Sequence, residues 1–190
     1  MTTPQLFRLA GWSAYLSVAA MFAAGIFPII SVTGLVGKLE NLAAITLALS
    51  MFPLALALHR LYCKPWQVLS MAPTLIGLGA MLMAAGVKFL VLIGAFSSEG
   101  IADVLDDLTF ALIGAWLIGV GYLGWLSKIP SANLAGVAVL AGLGQVVVTS
   151  GFLIANPPPL WALAGGGVTV IAYPIWAITI GRWLLRSSQA

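Results

Sequence analysis

The sequence predicts an all-α membrane protein: a six-transmembrane-helix bundle with both termini cytoplasmic. Three observations predict it. Hydrophobic residues make up 62% of the 190 residues and charged residues only 7%, against about 25% charged in a soluble domain. A surface in water must be wetted, so this much apolar surface has lipid as its natural solvent. The apolar residues also fall into six runs of roughly 20 or more, the length that crosses a bilayer's hydrocarbon core as a helix. Finally, the charges alternate in sign from one connection to the next. The length fits a single transmembrane domain over 1–190 and leaves no room for a separate soluble one.

The first span is expected over about Phe7–Thr33 and the second over about Asn41–Leu61. The third is expected over about Pro73–Phe96, with Trp66–Ala72 leading in at the interface. The fourth covers about Leu108–Leu126, the fifth Ala132–Ala155 and the sixth Leu160–Leu185. Helices satisfy their own backbone hydrogen bonds, which lipid cannot do for them. Barrel strands would alternate in polarity, and these runs do not. The first run is too long for a signal-peptide core and has only Arg8 before it, so it reads as a retained helix.

The charges set the orientation. With the N-terminus inside, the inner loops and ends carry Arg8, Arg60, Lys64, Lys128, Arg182 and Arg186, and the outer loops carry only Lys38. Cytoplasmic loops are the basic ones. All five acidic residues, Glu40, Glu99, Asp103, Asp106 and Asp107, fall outside. Pro130 and Pro157–Pro159 stop helices in short turns, because proline lacks an amide donor and restricts the residue before it. Short turns make consecutive helices antiparallel neighbours. The one substantial outer connection, "SSEGIADVLDD", places Ile101, Val104, Leu105 and Leu108 at helical spacing. It reads as a short interfacial helix or as an outward extension of span four.

Single copies of Cys63 and His59 exclude an intramolecular disulfide, a CxxC motif and a two-histidine haem or metal site. The basic residues are scattered singly, which gives no footprint for nucleic acid. Ser150 in "TSGF" has no histidine partner in a late span, so a serine dyad of the intramembrane-protease kind is rejected. No catalytic constellation is found, no metal site is expected, and no cofactor is predicted. An apolar bundle can still hold lipid, quinone or pigment without leaving a motif.

Lys88 is the candidate of most interest. It lies eight residues before Phe96, roughly 12 Å of helix below that end. At the bilayer centre a lysine would cost about 2.5–3.5 kcal/mol, and such residues default to a functional hypothesis. One reading pairs Lys88 with the acidic group Asp103, Asp106, Asp107 and Glu99, or lets it snorkel, fixing spans three and four. The other makes it a binding group for an anionic substrate or headgroup. Either way its amine should approach the outer acidic loop or a lipid phosphate. The acidic group itself reads as a solvated loop; adjacent Asp106 and Asp107 would point apart on a helix. In span five, Gln145 and Thr149 share a face one turn apart, followed by Ser150, and are candidates for intramembrane polar contacts with neighbouring helices. Small residues four apart (Ala19–Ala23, Ala20–Ala24, Ala138–Gly142), with Gly114, Gly119, Gly121 and Gly124, allow close helix approach.

The segments "RLAGWSAYLS" (Arg8–Ser17), "LSKIPSANLAGVAVLAGLG" (Leu126–Gly144) and "PIWAITIGRWLL" (Pro174–Leu185) resemble a group of short multi-span bacterial membrane proteins of unknown function. In that group a basic residue and a proline precede a Gly-rich span, and the last span ends in a basic tail. Ser131, Ala132 and Asn133 stand where the group often has arginine and tryptophan. The resemblance implies a multi-pass protein of a bacterial inner (cytoplasmic) membrane and no activity. Together these readings favour an accessory or scaffold subunit, with membrane lipids and other membrane subunits or further copies of itself as partners. The alternative is a small-molecule transporter or its substrate-binding component, with an outward-facing site near Lys88. A lipid-modifying enzyme ranks last.

Overall fold

The computed structural model describes residues 2–30, 34–97, 100–155 and 157–189. They form six helices long and apolar enough to cross a membrane. We label them α1 (Thr3–Ile30), α2 (Gly34–Lys64), α3 (Trp66–Leu92), α4 (Ile101–Ser127), α5 (Ala132–Ile154) and α6 (Leu160–Ser187). The first turn of α1 is capped from within: the Thr2 amide donates to Gln5 Oε1 at 3.0 Å, the back-bond of a capping box. At α5 the Ser131 hydroxyl accepts from the Leu134 amide at 3.2 Å.

Three boundaries differ from the sequence reading. The second and third spans are not separated by a loop. Helix runs through residues 61–72, and the break is confined to Trp66, at φ −143° and ψ 56°, just after Pro65. A proline has no amide to donate, so one residue leaving helical geometry is enough to turn the chain. The third span ends at Leu92 and not at Phe96. Gly94 takes φ +75°, its amide donates to Val91 O, and the Ala95 and Phe96 amides both donate to Leu90 O. A left-handed glycine closing the last carbonyls is a standard helix stop. At the start of α4, residues 101–107 are helical, so the acidic segment is the outward extension of span four. Thr33, the expected end of the first span, lies outside the described residues.

The helices form a closed ring. α1 packs on the α2–α3 pair, that pair on α4, α4 on α5, α5 on α6, and α6 returns to α1. Alternating direction gathers Glu40, Asp103, Asp106 and Asp107 at one end of the bundle. Arg8, Arg60, Lys64, Lys128, Arg182 and Arg186 gather at the other. The centre is filled. Trp116 of α4 is fully buried, lies flat on Gly77 of α3, and meets Trp176 of α6 edge-on with ring centroids 6.1 Å apart. Leu54, Leu58, Met81, Leu117, Ile180 and Leu184 are also fully buried.

At the α4–α5 and α5–α6 contacts helices approach closely enough that side chains must be absent. A methyl group at Gly142 would stand 2.5 Å from the Gly114 carbonyl oxygen across the α4–α5 contact. One at Gly144 would stand 2.6 Å from Gly165 O across α5–α6. Small residues are what allow backbones this near one another.

Candidate functional site

Lys88 lies one turn before the end of α3, where α2, α3 and α4 meet at the acidic end of the ring. Its Nζ is 3.0 Å from Asp106 Oδ2 on α4 and 3.4 Å from Glu40 Oε1 on α2. All three side chains are largely covered, with exposures of 18%, 20% and 22%. Helix geometry explains the choice of aspartate. Neighbouring residues point about 100° apart, so the turn of α4 that aims Asp106 at α3 turns Asp107 away. The Thr109 hydroxyl donates to the Asp106 carbonyl one turn on, at 2.8 Å.

The cluster contains two carboxylates and one ammonium. Asp106 Oδ1 is buried and has no hydrogen-bond partner among the described residues. Asp103, Asp106 and Asp107, with Gly100, Val104, Phe152 and Leu153, line an open cleft of about 360 Å³ between the start of α4 and the end of α5. Lys88 is not among the residues lining it, and its charge is directed at Asp106 and Glu40. Glu99 lies outside the described residues.

The other predicted polar residues are arranged differently. The Thr149 hydroxyl donates to Gln145 O at 2.8 Å, and Ser150 donates to Val146 O at 2.7 Å. Both bonds stay within α5 and do not reach a neighbour. The Gln145 carboxamide makes no hydrogen bond with a described residue; its Cβ packs beside Gly114.

Apart from the Lys88 pairs, hydrogen bonds that reach beyond one helix come largely from residues the sequence did not mark. Thr169 of α6 donates to Ala141 O of α5 at 3.2 Å, and Tyr173 of α6 to Ser17 Oγ of α1 at 2.7 Å. Tyr62 of α2 donates to Ile129 O in the α4–α5 turn at 3.0 Å. Ser70 Oγ lies 3.3 Å from His59 Nδ1 across the α2–α3 break and also donates to Gln67 O. Ser70 is fully buried, and its contact with His59 ties the two sides of the α2–α3 break. Among the described residues, no group of three His, Cys, Asp or Glu side chains is placed to hold a metal ion.

Comparison of the chain with protein-family models, with curated proteins and with solved structures gives no match.

Proposed function

We propose that this chain is an integral protein of a bacterial inner membrane, with six spans and both termini in the cytoplasm, serving as a non-enzymatic accessory or scaffold subunit of a larger membrane assembly. The six helices are 23 to 31 residues long, enough for the hydrocarbon core. The basic end of the ring would face the cytoplasm, as the charge rule requires. The observation that carries the subunit reading is the filled centre. Trp116 and its neighbours occupy the middle of the ring, and the triad at the acidic end pairs its lysine internally. A bundle built this way acts through its outer faces.

The transporter alternative draws on the open acidic cleft beside Asp106. In that reading Lys88 and the cleft would form an outward-facing site, and Lys88→Met would abolish uptake.

Mild detergent extraction followed by native mass measurement tests the proposal. The expected result is stoichiometric co-purification with other membrane subunits; a lone monomer would overturn it. Reporter fusions at both termini and in the 128–131 and 93–100 turns test the topology. The first three should report cytoplasm and the last the outside.

A further inference from the structure

We infer that the groove on the outer side of α4 and α5, at the basic end, seats one phospholipid with an anionic headgroup. The inference rests on the membrane reading above and adds a ligand class to a surface that reading leaves unspecified. The groove encloses about 530 Å³. Its floor is Gly136, around whose missing side chain nothing lies within 4 Å, and Leu140 continues it one turn deeper. Trp125 of α4 forms the opposite wall and is 65% exposed. From Asn133 to Leu140 the apolar trough runs roughly 10 Å along α5, a depth suited to the upper part of an acyl chain.

The mouth differs chemically from the floor. The exposed Asn133 amide stands there, next to the turn that carries exposed Lys128. That turn is held in place: the Tyr62 hydroxyl donates to Ile129 O, and the Ile129 amide donates to Ser127 Oγ. The first amides of α5 have no carbonyl behind them in the helix, and helix N-termini favour negative charge. A tryptophan at the rim is the usual marker of the headgroup level.

Two other grooves do not fit a phosphate-bearing lipid. The trough between α1 and α2, about 340 Å³, is lined by Leu6, Leu9, Phe52, Pro53 and other apolar residues, with no polar mouth. The cleft at the acidic end is lined by three aspartates, which would repel a phosphate. A further groove, between the start of α2 and the end of α3, carries Lys38 and Asn41 beside Val91, Leu92 and Ile93, but it lies at the acidic end with Glu40. The α4–α5 groove joins an apolar trough to the turn that carries Lys128, and the described carboxylates all lie at the opposite end.

The test uses the full chain, delipidated in detergent and titrated with dioleoylphosphatidylglycerol or dioleoylphosphatidylcholine, with bound lipid counted by native mass spectrometry. The wild-type chain should hold one phosphatidylglycerol with about a fivefold preference over phosphatidylcholine, the effect of one lysine near an anionic headgroup. Gly136→Leu should fill the trough and lower occupancy by both lipids. Lys128→Asn keeps a residue suited to the left-handed conformation at φ 55°; it should remove the preference and leave total occupancy. Wild-type occupancy in Gly136→Leu, or an unchanged preference in Lys128→Asn, overturns the inference. Position 128 is exposed, so that variant remains decisive even if Gly136→Leu fails to fold. Failure of the membrane reading would appear separately, in the topology reporters.

Discussion

Two corners of the ring are held by opposite means. Along α4, α5 and α6, glycine faces glycine, and backbone oxygens stand where side chains would otherwise be. At the acidic end of α2, α3 and α4 the contact is made by Lys88, Glu40 and Asp106, three long or charged side chains meeting at their tips. The difference teaches how one chain solves one problem twice. Apolar burial gives little preference among helix faces when the surroundings are equally apolar, so register has to come from shape or from charge. Where backbones approach closely there is no room for a charged side chain. Where they stand apart, a lysine can span the gap, and only if its charge is matched.

The largest expected effect separates these devices. Lys88→Met leaves two carboxylates facing each other at about one-fifth exposure. Breaking a buried pair on one side costs about 3 kcal/mol, whereas replacing all members by neutral groups is often close to neutral. Thermal unfolding in detergent should therefore show a large loss for Lys88→Met. The triple variant Lys88→Met, Glu40→Gln, Asp106→Asn should recover most of it. If the single variant unfolds like wild type, charge does not hold this corner, and the comparison fails.

The next effect probes the glycine corner. Gly142→Leu drives a side chain into the Gly114 carbonyl and Ile118. Overpacking costs about 1–3 kcal/mol, and a clash with backbone belongs at the upper end. The same substitution at Gly79, where nothing lies within 4 Å, should leave stability near wild type in the same unfolding assay. Equal losses at the two positions would mean that close approach does not set the cost, since leucine is a better helix former than glycine at both.

The six apolar helices were legible in the sequence because hydropathy and length act locally. The α2–α3 break was not. The run Lys64–Pro65–Trp66–Gln67 is polar enough to read as a loop, yet one residue out of helical geometry suffices. The end of α3 could have been read from Gly94, whose place after an apolar run is a stop signal. At the candidate site, the sequence pointed Lys88 towards the acidic segment as a whole; which carboxylate lies nearest depends on the rotation of α4, which no local pattern encodes. Glu40 sits 48 residues away and becomes a neighbour only when α2 and α3 fold back on each other. Thr149 and Ser150 illustrate the opposite limit. A carbonyl one turn back is always within reach of a hydroxyl, so a polar residue inside a helix need not signal a neighbour.

The smallest effect concerns the α1–α6 contact, which uses both devices at once. Gly11 and Gly181 bring the helices together near the basic end, and further along Tyr173 donates to Ser17, which in turn donates to Ala14 O at 2.8 Å. The direction of that chain makes its two members unequal. Tyr173→Phe removes a donor and leaves Ser17 still satisfied through Ala14, so the loss should be about 0.6 kcal/mol, the average for such bonds between helices. Ser17→Ala removes the acceptor and strands a fully buried phenol hydroxyl, and an unsatisfied buried group costs about 1–3 kcal/mol. Unfolding of the two single variants in detergent should therefore rank Ser17→Ala as the more damaging, although each deletes a single oxygen. The reverse ranking would mean that the Tyr173 hydroxyl acts through an acceptor other than Ser17 Oγ, so that this bond is not what ties α1 to α6 and the close approach at Gly11 and Gly181 is left to hold the contact.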